Sequence, residues 1–231
     1  IAFKNGVLDV STLELLPLSS PTVRNLHLTE RNELATTWNP DAEAVTIPGK
    51  GYRGGDWNVR DYFKAYAGND EERYRFLMFL LSFGLFGSHT PGVIVSFVGK
   101  SGDGKTAMSQ WLRNLYQPAQ FTGLLFDKLN TPFPLSAHGY HKTVLWVSET
   151  NKKGNWLSKE AITFYDGLAD GEISLSVKHK GDFVYKPGAT YLDGTATIEA
   201  EEVDTGPGRR TIVYNFSDDL KTPAVKPKYY A

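Results

Sequence analysis

"VSFVGKSGDGKTAMSQWL", residues 95–112, decides how the chain is read. Within it, Gly99-Lys-Ser-Gly-Asp-Gly104-Lys105-Thr106 fits G-x-x-x-x-G-K-[ST]. Glycines at these positions let consecutive backbone N–H groups curl around phosphate oxygens. A helix starting at Lys105 adds the positive end of its dipole. Lys105 is the residue expected to reach the β- and γ-phosphates of a nucleotide, and Thr106 to hold Mg²⁺. The context agrees. "GVIVSFV" (92–98) is a continuous apolar run, as in a strand buried on both faces. "TAMSQWLRNLY" (106–116) has helical spacing. The candidate phosphate cradle is therefore Gly99, Ser101, Gly102, Asp103, Gly104, Lys105, Thr106 and Ala107, with ATP and Mg²⁺ as the expected ligands. Asp103 adds negative charge to the loop and is expected to point outward.

The partner of such a loop is a second buried strand ending in an acid. "KTVLWVSE" (142–149) supplies it. Glu149 is expected to orient the attacking water and to stand by the metal, and Ser148 to touch the metal's water shell. Around these pieces the remaining elements fall into place. "SKEAITFYDGLADG" (158–171) reads as an amphipathic helix capped by Ser158. "EISLSVKHKGDFVYKP" (172–187) reads as a β-hairpin with Lys178, His179 and Lys180 at its tip. "ATYLDGTATI" and "RTIVYNF" are the last strand candidates.

Upstream, "IAFKNGVLDVSTLELLPLS" alternates apolar and polar residues and reads as short strands. Residues 36–57 are rich in Thr, Pro and Gly and read as a connector. "WNVRDYFKAYAG" and "NDEERYRFLMFLLSFGLFG" read as helices, the second capped by Asn69 or Asp70. The apolar stretch 76–87 is expected to be buried. This gives a β-rich segment and connector over 1–56, a helical segment over 57–90 and an α/β core over 91–231.

Composition narrows the chemistry. The chain has 231 residues, a net charge of −1 and no cysteine. Disulfide frameworks and cysteine metal sites are excluded. No global basic field draws the chain to nucleic acid, so any such contact must be local. His27, His89, His138, His141 and His179 lack metal-ligand spacing. No apolar run reaches membrane-spanning length, and no signal peptide is visible. The chain opens on Ile1, and is read as a fragment of a longer protein.

A small-molecule kinase usually opens with its phosphate loop and carries an arginine-rich lid. Here about ninety residues precede the loop, and Arg113 is the only arginine between Lys105 and Pro207. A guanine-specificity element is also missing, because "TNKKGN" (150–155) lacks the required Asp. A basic hairpin tip is suited to grip a nucleic-acid backbone without reading sequence. Arg209 or Arg210, just before the last strand, is placed to act as a finger on a neighbour's γ-phosphate, a contribution of about 10³–10⁵ in rate.

The ordered set "VGKSGDGKT", "VLWVSE", "DGEISLSVKHKGDFVYKPGAT" and "GPGRRTIVYNF", with "FKNGVLDVSTLELLPLS" ahead of it, resembles the superfamily 3 helicase domain of phage and plasmid primase-helicases. The resemblance covers most of the chain, loosely through 20–60. It implies a P-loop NTPase of the AAA+-like type, with a central parallel sheet and a basic-tipped β-hairpin, preceded by a small α+β segment. It also implies hexameric rings, ATP-driven movement on single-stranded DNA, a fused or associated primase-polymerase, and a cytoplasmic site of action, that of the host if the chain is phage-encoded. The family usually ends the strand after the hairpin with an Asn, the sensor that contacts the γ-phosphate or the attacking water. Here the strand reads "ATYLDGTATIE"; Thr195 is the nearest candidate, and Asp193 is a poor phosphate contact. Two other readings follow from the residues: an ATP-binding module that clamps DNA with little unwinding, and a P-loop phosphotransferase on a small molecule.

Overall fold

A computed structural model describes residues 1–26, 33–43, 45–49, 55–86, 93–131, 142–150, 156–177, 181–197, 199–200 and 206–216. The chain starts with three short strands, β1 (Ala2–Phe3), β2 (Gly6–Leu8) and β3 (Leu15–Leu16), paired as an antiparallel sheet. The turn α1 (Pro21–Arg24) and the two-residue strands β4 (Thr46–Ile47) and β5 (Trp57–Asn58) follow. Helix α2 (Val59–Tyr66) is capped by Asn58, whose side chain accepts from the Arg60 N–H at 2.9 Å. Helix α3 (Glu71–Ser82) is capped by Asp70, which accepts from Arg73 N–H at 2.9 Å. Asn69 instead takes a left-handed conformation, φ +59°, so of the two expected caps Asp70 serves.

Strand β6 (Ile94–Val98) leads through the glycine loop into α4 (Lys105–Asn114). Then come β7 (Phe121–Leu125), β8 (Val144–Thr150), the short β9 (Trp156–Leu157) and α5 (Lys159–Asp170), with Ser158 accepting from Ala161 N–H at 3.2 Å as the expected cap. Strands β10 (Ile173–Val177) and β11 (Gly181–Tyr185) form the expected hairpin. Its basic tip, Lys178, His179 and Lys180, lies outside the described residues. Last come β12 (Ala189–Gly194), β13 (Glu199–Ala200), α6 (Gly206–Arg209) and β14 (Thr211–Asn215).

The centre is a five-stranded sheet in the order β14-β6-β12-β8-β7, every pair parallel. Side chains alternate across it, as strand geometry requires. Val95, Phe97, Trp146 and Tyr191 face one side, where α2, α3 and α4 pack and the rings of Phe97, Trp146 and Tyr191 stack at 5.4–6.0 Å. Ile94, Leu145, Val147 and Leu192 face the other, against Phe164, Tyr165 and Leu168 of α5. Helices on both faces explain why β6, β8 and β12 read as unbroken apolar runs. Phe3, Leu8 and Leu34 join the first cluster, so the opening segment and the helical segment share a core with the sheet.

Two features differ from the sequence reading. Strand β7 is the sheet edge, half-exposed and interrupted by Gly123, and carries no strong periodic signal. Of the stretch 76–87, the helical part described, 76–82, is buried on one side only. Leu77, Leu80 and Leu81 face the core, while Phe76 and Phe79 are exposed at 43% and 57%. The helix stops at Ser82 and tightens into a single 3₁₀ turn, Phe83–Phe86. A side chain at Gly84 would stand 2.4 Å from the Tyr116 hydroxyl, which is why the close packing there needs glycine.

Candidate nucleotide-binding site

The glycine loop joins β6 to α4 at the carboxyl edge of the sheet. Its turn uses left-handed backbone at Gly102, φ +84°, and Gly104, φ +83°, conformations that glycine adopts without strain. Lys105 folds back into the loop. Its Nζ donates to the carbonyls of Gly99 and Lys100, each at 2.7 Å. Burial pulls the Lys105 ammonium below its ordinary lysine pKa, and the carboxylates of Asp103 and Asp193 oppose that pull.

The start of α4 is built differently from the other long helices. Helices α2, α3 and α5 each carry a side-chain cap, and α2 and α3 have acidic residues in the first turn. Helix α4 starts after its N-cap, Gly104, with neither a side-chain cap nor a first-turn acid. Its first N–H groups have no intrahelical acceptor, so the loop and helix together present donors suited to an anion. Asp103 does not spoil this. Its Oδ2 lies 2.8 Å from where a Gly99 side chain would stand, and Asp103 does not line the cavity. Its carboxylate lies back against Gly99 and acts electrostatically on Lys105.

The cavity measures about 620 Å³ and is lined by loop and helix residues Ser101, Gly102, Gly104, Lys105, Thr106 and Gln110. Across from them stand Thr150, Asp193, Gly194 and Thr195. The two walls are tied together. Gly99 N–H donates to the Gly194 carbonyl at 3.0 Å, and Thr195 N–H donates to the Thr150 carbonyl at 2.7 Å. The Thr150 hydroxyl donates to the Ala196 carbonyl at 3.0 Å. Strand order produces this arrangement, because β12 lies between β6 and β8 and ends at the same edge.

Of the residues named from the sequence, Ser101, Gly102, Gly104, Lys105, Thr106 and Thr195 line this one cavity, while Gly99 and Asp103 shape the loop from behind. Ala107 is half-buried against the core. Glu149 stands in β8 one residue before Thr150, and its side chain lies outside what is described. A nucleotide with its metal fits the residues present: uncapped N–H groups, a lysine and the exposed hydroxyl of Thr106. Among the described residues there is no group of three acidic or histidine side chains gathered for a metal ion.

Arg209 and Arg210 are not at this cavity. Strand β14 runs parallel to β6, and Ile94 N–H donates to the Arg210 carbonyl at 2.7 Å, so Arg210 sits at the opposite edge of the sheet. The Arg210 guanidinium is engaged with α5. Its Nη1 lies 2.6 Å from Asp170 Oδ1 and donates to the Asp166 carbonyl at 3.0 Å. Arg209 is exposed.

Sequence reasoning missed Thr150, Gly194 and Gln110 as lining residues, and did not foresee that Asp193 acts on Lys105. Asp193 is 6% exposed, and its charge acts on Lys105. The polar break after "VLWVSE" is the one local signal for Thr150.

Fold and cavity together define an α/β protein whose five-stranded parallel sheet is compatible with a P-loop NTPase-like core. No family model matches the chain, and no curated protein matches it. Solved structures do. The A-form apo structure of the NrS-1 C-terminal region is similar with a TM-score of 0.55 at 18% identity, over 71% of this chain and 38% of that one. The apo structure of the NrS-1 C-terminal region 305–718 is similar with a TM-score of 0.54 at 15% identity, over 90% of this chain and 55% of that one. The chain spans well under two thirds of either neighbour, and at these identities the likeness is one of fold. No described helix is long and apolar enough to cross a membrane.

Proposed function

We propose that the chain is the ATPase core of a ring helicase or translocase on single-stranded DNA, part of a phage or plasmid replication protein with a fused or associated primase-polymerase. The observation that carries the reading is the cavity. An uncapped helix start, a buried lysine and the polar ends of two further strands converge on one space of about 620 Å³. The sequence resemblance to superfamily 3 helicases and the fold shared with the NrS-1 C-terminal region support the assignment to this class.

In this reading the Lys105 ammonium and the N–H groups of the loop hold the phosphates of MgATP. Lys105 exchanges its contacts to Gly99 and Lys100 for phosphate oxygens. Thr106 offers the metal its hydroxyl. Glu149 orients the attacking water, and Thr195 donates a hydrogen bond beside it. Because Arg210 is held by α5, Arg209 is the better placed to reach the site of a neighbouring subunit. Lys178 and Lys180 grip the DNA backbone, with His179 stacking or bonding beside them, and six subunits close the ring.

A second reading has one observation in its favour: the sensor position carries Thr195 and not Asn. The chain then binds ATP chiefly to assemble on DNA. The test is ATP turnover with and without single-stranded DNA, at a protein concentration that allows assembly, with Lys105→Ala and Arg209→Ala alongside. The motor predicts stimulation by DNA that both variants lose. Tight ATP binding with no turnover selects the assembly module. Turnover that ignores DNA and needs a small acceptor removes both.

A further inference from the structure

The glycine loop rests on aromatic side chains that its own sequence pattern does not require. A side chain at Gly104 would stand 1.7 Å from the Tyr66 hydroxyl, and one at Gly99 would stand 2.8 Å from the Phe216 ring. The rings of Tyr66 and Phe216 meet at 4.9 Å, and Tyr62 meets Tyr66 edge-on at 4.6 Å. Both tyrosines are buried on α2, one helical turn apart. The Tyr66 hydroxyl donates to Tyr62 Oη at 2.6 Å, and the Tyr62 hydroxyl donates to the Gly104 carbonyl at 3.3 Å. The same carbonyl accepts the Met108 N–H at 3.0 Å, the first rung of α4.

The Gly104 carbonyl and the Lys105 N–H belong to one peptide unit. The bond is trans, so the two groups point in opposite directions. Fixing the carbonyl toward α2 and the body of α4 turns the Lys105 N–H toward the loop. That N–H has no acceptor within the helix. We propose that Tyr62, backed by Tyr66, is a positioning residue for phosphate binding: it sets the Gly104–Lys105 peptide plane and so aims an anion-binding N–H. The inference rests on the nucleotide reading above. It gives the helical segment ahead of the core a specific task at the site, through residues separated by 42 positions in sequence.

The test compares wild type, Tyr62→Phe and Tyr66→Phe for binding of ATP and of inorganic tripolyphosphate. The chemical shift of the Lys105 amide is followed with and without ATP. Tyr62→Phe keeps the ring and removes the hydroxyl. It is expected to weaken ATP and tripolyphosphate by the same factor, about five- to tenfold, the size of one modest hydrogen bond. It is also expected to reduce the ATP-induced shift of the Lys105 amide. Tyr66→Phe leaves Tyr62 its proton for Gly104 and should cost less in affinity. An unchanged affinity in Tyr62→Phe overturns the inference. So does an equal loss in both variants that follows their melting temperatures, with the Lys105 shift retained. Wild type that binds neither probe removes the nucleotide reading and this inference together, whereas wild-type binding with Tyr62→Phe unaltered removes this inference alone.

Discussion

Tyr191→Phe and Tyr116→Phe delete the same atom from two neighbouring buried rings, and they should change stability by very different amounts. Tyr191 is fully buried in β12. Its hydroxyl accepts the Gly84 N–H at 3.0 Å and faces the Leu80 and Leu81 carbonyls at 3.1 and 3.0 Å. Those carbonyls belong to the last turn of α3, where the Leu80 carbonyl also accepts the Phe83 N–H. Removing the hydroxyl takes this partner from the buried Gly84 amide and the Leu81 carbonyl, while the Leu80 carbonyl keeps the Phe83 N–H, at a cost of about 2–3 kcal/mol. For a chain of this size each kcal/mol moves the melting temperature by about 2–4 °C, so Tyr191→Phe should lower it by about 4–12 °C. The Tyr116 hydroxyl is buried against Gly84 and has no hydrogen-bond partner among the described residues. Burial pushes its phenol pKa well up. Its desolvation is uncompensated, so Tyr116→Phe should be neutral or stabilising by up to about 1 kcal/mol. Urea denaturation of both variants measures the difference, with unchanged slopes confirming that the unfolded ensembles match. Equal destabilisation by the two substitutions would refute the reasoning, because the hydrogen-bond inventory would then not be what separates them.

Arg209→Ala should leave the melting temperature unchanged yet abolish DNA-stimulated turnover, while Arg210→Ala should cost about 1 kcal/mol by releasing Asp166 and Asp170; calorimetry and turnover on both variants separate the roles. Lys178→Ala with Lys180→Ala should weaken single-stranded DNA binding and flatten its salt dependence, by about 0.7 in log–log slope for each lost phosphate contact; an unchanged slope in a titration across salt would make the hairpin tip a solvated turn. Ser158→Ala removes the only side-chain cap of α5 and should cost about 1 kcal/mol, read from denaturant midpoints.

What the sequence revealed and what it hid follow from how far each signal reaches. Strand β6 was legible because both of its faces are buried, so every residue from Ile94 to Phe97 had to be compatible with a core. Strand β7 was not, because an edge strand half in solvent carries Gly123 and mixed polarity without penalty. The all-apolar run "FLMFLL" could not announce which side faces out, because periodicity needs polar residues to mark the solvent face. The glycine loop was legible because its chemistry is local. Its aromatic support was not, because Tyr62, Tyr66 and Phe216 reach the loop from far before and far after it in sequence and look like ordinary core residues in either stretch.

The opposite wall of the cavity was hidden for a different reason: it exists only once the strand order is known. Inserting β12 between β6 and β8 separates the glycine loop from the acid-bearing strand by two ladder spacings, about 9–10 Å. The end of β12 fills that gap and faces both neighbours. A side chain at Gly194 would stand 1.8 Å from the Thr150 hydroxyl oxygen and 1.9 Å from the Thr150 carbonyl oxygen. The backbones of β8 and β12 are therefore too close at this point to admit any side chain, a sensing one included. Asp193, one residue earlier, is buried and electrostatically occupied with Lys105. Thr195 is the first position beyond the strand that lines the cavity, and its N–H bond to the Thr150 carbonyl holds it there. In the proposed nucleotide reading, Thr195 is the neutral polar residue at the end of the middle strand placed to meet a phosphate. The absence from "ATYLDGTATIE" of the Asn that the helicase resemblance leads one to expect thus goes with a tight β8–β12 crossing, and an Asn placed at 194 would pry the two strands apart.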